Sequence, residues 1–231
     1  MPTAREALLD AALAALSRQP WSAVRMADLA VAARVSRQTL YNEFGSKEGL
    51  ARALVRREAD SYLDGVRRIL TASAPPGQGP DAPGTPGQGA DAPGPSARTL
   101  AALAEWTVAR AGDRPILRAL LTGAWTEGLP RPRPARPGAR PAPVPAQRRA
   151  DTGPPAPGEL LATTALCAGE RWAARCELAL RLAVSHVVAP ELPPEGQCAE
   201  PDSWRPMTPA MTSVIETILS VETTSPRKTM P

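Results

Sequence analysis

Two proline-rich stretches limit where this 231-residue chain can form regular structure. Residues 71–97 contain a tandem ten-residue repeat, GQGPDAPGTP followed by GQGADAPGPS, and residues 130–158 contain ten prolines. Proline lacks a backbone donor and clashes with the preceding helical turn, and segments this rich in proline and glycine cannot bury apolar surface. We therefore expect residues 71–97 to be a disordered insertion, 130–158 to be a loop, and the last residues, 223–231, to be a disordered tail.

Outside these stretches, apolar residues recur at the spacing of one helix face, and no useful run of alternating polar and apolar residues occurs. The sequence thus predicts an all-α fold. Ser46 is expected to cap a long connecting helix over residues 46–70. Pro115 is expected to open a helix that includes Ile116–Trp125, and Pro209 to open one after the cap residue Thr208. A single long helix is predicted over Glu159–Ala189.

Composition argues against several classes of site. The chain has three cysteines without a CxxC pair and a single histidine, His186, so a zinc site is not expected. No window approaches the roughly 18 apolar residues of a membrane span, and no catalytic set or glycine-rich phosphate loop is evident. These features predict a cytoplasmic protein that is not an enzyme and needs no cofactor. The net charge of +4 allows a nucleic-acid partner without requiring one.

One short segment suggests such a partner. Met26–Arg34 and Ser36–Phe44 have the pattern of a helix-turn-helix, whose second helix would bury Leu40 and Phe44 and expose its other face. That outer face carries polar side chains: Arg37, Gln38, Thr39, Tyr41 and Asn42. Arginine can pair with guanine, and glutamine or asparagine with adenine, in the major groove. The alternative interpretation is that these residues form only a solvated face.

Phosphate contacts are expected around this helix. The backbone N–H groups that follow Ser36 suit a phosphate at a helix N-terminus. Lys47 adds a positive charge just beyond the helix, and residues 25–57 contain seven basic and three acidic residues. The local excess of positive charge favours a DNA backbone as the partner.

The segment MADLAVAARVSRQTLYNEFGSKEGL resembles the DNA-binding domain of the TetR family of transcriptional regulators, and the TLYxxFxSKExL pattern is its most specific part. The resemblance implies a DNA-binding domain at residues 1–48 and a helical ligand and dimerisation domain at residues 98–222. By similarity, Tyr41 and Lys47 contact phosphate and Thr39 supports the backbone contact. Arg37, Gln38 and Asn42 are, on the same basis, candidate base contacts.

Two residues depart from the family pattern. Arg34 occupies the turn position where the family usually has glycine, and an L-residue with positive φ is disfavoured by about 1 kcal/mol. Arg25 occupies the position where serine or threonine usually caps the second helix. We expect Arg25 to leave this helix without a side-chain cap, and we include it among the candidate phosphate contacts.

The C-terminal half carries a weaker resemblance. The segments RPILRALLTG and RLAVSHVVAP resemble parts of the regulatory domain in a subset of actinobacterial members. Candidate ligand-pocket residues are Trp106, Leu120, Trp125, Trp172 and Cys176, and candidate dimer-interface residues are Leu180, Val184, Val187, Met211, Ile215 and Ile218. His186 is expected to pack in the core or at an interface, with a ligand-binding or pH-sensing role as the alternative.

These observations predict a homodimeric DNA-binding regulator. The main hypothesis is a repressor that a small apolar ligand releases from a near-palindromic, double-stranded DNA operator. One alternative is a ligand-independent DNA-binding protein whose C-terminal half only dimerises. The other is a helical adaptor or enzyme whose degenerate helix-turn-helix contacts another protein.

Overall fold

The computed structural model describes residues 3–72, 94–132, 155–190 and 206–221, and every regular element in these ranges is helical. This confirms the predicted all-α class. The insertion residues 73–93, the loop residues 133–154 and the tail 223–231 lie outside the described residues. The α-helices are α1 (Ala4–Leu16), α2 (Met26–Ala32), α3 (Arg37–Phe44), α4 (Lys47–Ala72), α5 (Ala97–Asp113), α6 (Pro115–Thr122), α7 (Pro157–Leu166), α8 (Ala173–Val188) and α9 (Pro209–Val221). Two 3₁₀ turns, Trp21–Ala23 and Glu170–Trp172, precede α2 and α8.

The described residues fall into two compact units. The first contains residues 3–62, 115–132 and 155–157, and the second contains residues 63–72, 94–114, 158–190 and 206–221. In the first unit α1, α2 and α3 pack against one another. In the second unit α5 packs against α8 and α9. Each unit has its own apolar core, as fully buried leucines such as Leu8 and Leu40 in the first and Leu103 and Leu180 in the second show.

Charged residues of α1 fix the helices around α3. The Arg5 guanidinium lies 4.7 Å from the centre of the Phe44 ring and donates a hydrogen bond of 3.3 Å to the carbonyl oxygen of Glu43. On the other side of α1, Asp10 forms a 2.6 Å ion pair with Arg57 of α4. Because α1 is thus tied to both α3 and α4, it holds the last turn of α3 in place.

The start of α1 is closed by a capping box. The Thr3 hydroxyl accepts a hydrogen bond from the Glu6 backbone N–H, and the Glu6 carboxylate accepts one from the Thr3 backbone N–H. The Thr3 hydroxyl also donates to this carboxylate, and the two hydrogen bonds from the Thr3 backbone N–H and hydroxyl lower the pKa of Glu6. Two of the four backbone donors that a helix start leaves unsatisfied are therefore paired.

Two predicted helices end earlier than expected. The prediction of one long helix over Glu159–Ala189 is wrong, because α7 ends at Leu166 and α8 begins only at Ala173. Gly169 between them has φ of 88°, a conformation that glycine adopts without the steric penalty of a side chain. Likewise, α6 ends at Thr122 before Gly123, whose φ is 75°, so Trp125 lies beyond the helix.

The starts of α5 and α9 are well capped. The Ser96 hydroxyl accepts a 3.1 Å hydrogen bond from the Thr99 backbone N–H, and Thr208 does the same for Met211 at 3.3 Å. Gly94 lies so close to the Trp172 indole that a β-carbon there would approach within 1.9 Å of it. The end of the repeat, residues 94–96, is therefore part of the second unit. The predicted cap at Thr208 and the proline start of α9 are confirmed.

Candidate nucleic-acid interface

The turn between α2 and α3 is a Schellman motif with an arginine at its left-handed position. Arg34 has φ of 55° and is the one non-glycine residue with positive φ among the described residues. Its N–H donates to the carbonyl of Val31 at 3.0 Å, and the N–H of Val35 donates to the carbonyl of Ala30 at 2.9 Å. Both hydrogen bonds of the motif are formed. Arg34 therefore holds a left-handed turn conformation that glycine would adopt without a steric penalty.

The start of α2 lacks a side-chain cap, as the sequence predicted. Arg25 occupies the N-cap position with extended backbone, φ −106° and ψ 136°, and its side chain forms no capping hydrogen bond. The side chain is exposed. Its charge therefore remains at the exposed N-terminus of α2, where a phosphate would meet both the guanidinium and the helix N–H groups.

Helix α3 is anchored by two side chains and one cap. Leu40 and Phe44 are buried, which confirms their predicted orientation toward the core. At the helix start, the Ser36 hydroxyl accepts a 3.0 Å hydrogen bond from the Thr39 N–H. Ser36 and Thr39 are also joined through their hydroxyl groups at 2.8 Å. The half-buried Thr39 thus braces the N-cap, a role that sequence similarity had described only as support for a backbone contact.

The opposite face of α3 is open. Its exposed side chains are Arg37, Gln38, Tyr41 and Asn42, and Tyr41 is 49% exposed despite its aromatic ring. The Gln38 amide donates a 2.8 Å hydrogen bond to the Asn42 amide oxygen one turn later. This bond aligns two amide groups of the kind that pair with adenine edges. The structure therefore brings the predicted base-contact residues together on one surface.

Lys47, the first residue of α4, has partners within the protein. Its ammonium donates hydrogen bonds to the carbonyls of Val24 at 2.6 Å and Ser22 at 3.2 Å. It also lies 5.3 Å from the centre of the Trp21 ring, within cation–π distance. A lysine ammonium has three donors, so the predicted phosphate contact would use the remaining one. Lys47 therefore also has a structural role, which the sequence did not indicate.

The connection from α3 to α4 depends on two glycines. Gly45 ends α3 with φ of 69°. Gly49 in the first turn of α4 lies against α3, and a β-carbon there would be 1.9 Å from the Phe44 carbonyl oxygen. Ser46 caps α4 by accepting a 3.1 Å hydrogen bond from the Gly49 N–H, as predicted. The close approach of Gly49 fixes α4 relative to α3.

Comparison with known proteins agrees with this geometry. Residues 8–54 match the family model described as bacterial regulatory proteins, tetR family. Over these residues the chain is similar to the N-terminal domain of that family. Its matched segment contains α2 and α3 entirely, together with the greater part of α1 and the first turns of α4.

A curated relative and a solved structure are also similar to parts of this chain or to its fold. The HTH-type transcriptional regulator AlkX of Mycobacterium tuberculosis (strain ATCC 25618 / H37Rv) is 46% identical over 69 residues, which cover 30% of this chain and 33% of the relative. The match thus spans about a third of that relative's length. The crystal structure of the TetR family repressor AlkX from Dietzia sp. strain DQ12-45-1b, implicated in biodegradation of n-alkanes, covers 94% of each chain at 22% identity, with a TM-score of 0.44.

The residues predicted to line a ligand pocket are divided between the two units. Trp106, Trp172 and Cys176 belong to the second unit, whereas Leu120 and Trp125 belong to the first. Within the second unit, Trp106 packs against Gly65 of α4, where a β-carbon would lie 2.3 Å from the indole. Trp172 packs against Gly94. These two tryptophans therefore have packing roles of their own within the second unit.

The predicted interface residues also separate into two groups. Leu180, Val187 and Ile215 are buried within the single chain, so they belong to its core. Val184 and Met211 are half-buried, and Ile218 is 39% exposed. Val214 of α9 is 51% exposed. The outer face of α9 thus carries two large apolar side chains one turn apart.

Two buried polar groups in the second unit have distinct environments. His186 is 2% exposed, and neither ring nitrogen has a hydrogen-bond partner in the structure. Cys176 is fully buried, and burial raises the pKa of its thiol to about 12. The thiolate of Cys176 is therefore negligible at neutral pH, which makes this cysteine unreactive.

In the described part of the chain no helix is long and apolar enough to cross a membrane. The same residues contain no cluster of three or more histidine, cysteine or acidic side chains that could hold a metal ion.

Proposed function

We propose that this protein is a TetR-family transcriptional repressor that binds a near-palindromic DNA operator as a homodimer and is released by a small molecule. The observation that carries the DNA-binding part is the open face of α3. That helix presents Arg37, Gln38 and Asn42 outward while Leu40 and Phe44 hold it in the core. A helix exposed in this way fits the major groove with its N-terminal residues toward the bases.

The phosphate contacts are proposed for the residues around that helix. Ser36 and Thr39 close the N-terminus of α3, Tyr41 extends from its exposed face, and Arg25 lies exposed at the start of α2. Together with the remaining donor of Lys47 they would anchor the backbone on both sides of the groove. Such contacts set the orientation of the recognition helix without specifying sequence.

The dimer is supported by the outer face of α9. Val214 and Ile218 are exposed one turn apart, and a second copy that covers them would remove this apolar surface from water. A dimer places two recognition helices on half-sites about one helical turn of DNA apart, near 34–36 Å. We therefore propose α9, together with the half-buried Val184 of α8, as the interface.

Release by a ligand is the least constrained part of the proposal. His186 supports it, because a buried imidazole without partners can gain hydrogen bonds from a bound molecule. A ligand acts as an effector only if it binds the DNA-free state more tightly than the DNA-bound state. Thermal unfolding of the protein with a panel of small apolar molecules, with and without operator DNA, measures this difference. A protein that no compound stabilises would favour the ligand-independent alternative.

The DNA-binding proposal is tested by footprinting on the DNA that flanks the gene, followed by titration of variants. Arg37→Ala and Gln38→Ala are each expected to cost about 1–3 kcal/mol on the operator and to relax the preference at one base pair per half-site. Arg181→Ala is the charge-matched control for Arg37→Ala, because Arg181 is exposed in the second unit and pairs with Glu177. If the folded wild-type protein gives no footprint on this DNA, the adaptor hypothesis is favoured instead.

A further inference from the structure

We propose that the contact between Trp21 and Gly128 positions the DNA-binding helices, so that the segment following α6 sets the affinity for operator DNA. This inference rests on the proposed DNA-binding function. It concerns only the first unit, to which Trp21, Lys47 and the segment 123–132 all belong.

The first element of the argument is a direct tie between distant parts of the sequence. The Trp21 backbone N–H donates a 2.8 Å hydrogen bond to the carbonyl oxygen of Gly128. A β-carbon built on Gly128 would lie 3.9 Å from the Pro20 β-carbon, so the two segments are in van der Waals contact. Pro130 is buried two residues further along. The segment after α6 therefore packs directly against the turn that precedes α2.

The second element is what Trp21 does on its other side. The Trp21 ring lies 5.3 Å from the Lys47 ammonium, and this ammonium donates to the carbonyls of Ser22 and Val24. Lys47 is the first residue of α4, and Val24 immediately precedes the N-cap of α2. A continuous set of contacts thus runs from Gly128 through Trp21 to the starts of both helices that flank α3 in the chain.

The third element is covalent connectivity. Arg114 alone separates α5, which belongs to the second unit, from α6, which belongs to the first. Residues 123–132 continue from α6, so a displacement of α6 would be passed along the backbone to Gly128. A movement of Gly128 would release Trp21 and with it the fixed position of Lys47. Trp21 and Gly128 are positioning residues in this scheme, because neither needs to touch DNA.

The experiment is a reversible cross-link of this contact. Disulfides have β-carbons about 3.5–4.5 Å apart, and the Pro20 and Gly128 positions are separated by 3.9 Å. The variant combines P20C and G128C with replacement of the three native cysteines by alanine. Operator affinity is then measured for the oxidised and the reduced protein, with the two single-cysteine variants treated identically as controls.

We expect the oxidised double variant to bind the operator about fivefold or more tightly than its reduced form, the lower end of typical coupling between sites. The single-cysteine controls should show no such difference. Equal or weaker binding by the oxidised form overturns the inference, as does failure of the two cysteines to cross-link in folded protein. If wild-type protein in the same titration binds no operator, the proposed function itself fails and this inference fails with it.

A second variant pair separates positioning from general stability. Trp21→Phe keeps an aromatic ring near Lys47, whereas Trp21→Ala removes it and leaves the backbone N–H in place. The alanine variant is expected to bind operator more weakly and to show a salt slope reduced by about one unit, because Lys47 loses its fixed position beside the phosphate. The phenylalanine variant should retain the operator affinity and the salt slope of the wild-type protein. A lower unfolding midpoint with an unchanged salt slope in the alanine variant would show a merely structural role.

Discussion

Replacing Arg34 with glycine should stabilise the protein, because the arginine holds a left-handed backbone with φ of 55°. The left-handed conformation costs an L-residue about 1–2 kcal/mol, and glycine escapes this cost. Glycine also has more freedom in the unfolded chain, which offsets about 0.5–1 kcal/mol of the gain. Since the Arg34 side chain is exposed, little packing is lost. The net expected gain in the free energy of unfolding is about 0.5–1 kcal/mol.

Two matched variants isolate the backbone from the side chain. Arg34→Ala removes the guanidinium but keeps the β-carbon, so it should keep the strain. Arg34→Asn should fall between alanine and glycine, because asparagine tolerates the left-handed region better than most residues. Urea unfolding measures the series, and a true stability change moves the midpoint without changing the slope m.

The refuting result is equal stability of the glycine and alanine variants. That outcome would mean that the β-carbon of Arg34 carries no strain in solution and that the turn has another geometry. DNA affinity provides an independent check, because the glycine and alanine variants lose the same positive charge. Their non-specific affinities should therefore fall equally, and any difference between them on the operator would report the turn itself.

Two further predictions concern the second unit. Ile215→Arg should prevent folding, because Ile215 is fully buried, whereas the Ile218→Arg variant should fold, become monomeric and lose operator affinity. Circular dichroism measures folding, and light scattering measures the oligomeric state. A dimeric Ile218→Arg variant would contradict the proposed interface. Deleting the repeat Gly77–Pro86 should leave the free energy of unfolding nearly unchanged. Deleting Gly87–Ser96 puts Pro86 in place of the α5 capping serine, so it should lower the free energy of unfolding, measured by thermal unfolding, by about 1 kcal/mol. Equal stability of the two deletions would show that this cap is unimportant.

The helix-turn-helix region was largely predictable because its signals are local. The cap residues Ser36 and Ser46 and the buried pair Leu40 and Phe44 each act within a few residues along the chain. Helix periodicity and capping chemistry depend on such short distances. Even the departure at Arg34 was visible, since the turn needed a left-handed residue and the sequence offered no glycine there. The structure confirmed the left-handed backbone at that position.

The contacts of Lys47 and Trp21 were missed because they depend on tertiary structure. The carbonyls that bind Lys47 lie more than twenty residues earlier in the chain, and Gly128 is more than one hundred residues from Trp21. No local pattern encodes such pairs. The available signal was an aromatic residue just before α2, which is compatible with many environments. The break at Gly169 was a different kind of failure, because apolar residues continue at helical spacing on both sides of the glycine.

The interface prediction combined buried and exposed residues for a reason inherent in amphipathic helices. A residue that is buried within its own chain and a residue that a second copy would bury are both apolar, so the sequence does not distinguish them. In helix α9, Ile215 and Leu219 are fully buried by their own chain, whereas Val214 and Ile218 remain exposed. The two pairs are offset by one residue, about 100° around the helix, so they cover adjoining sectors of one broad apolar surface. Only the exposed pair is available to a partner, and the arginine substitution at Ile218 therefore tests the dimer without disturbing the core.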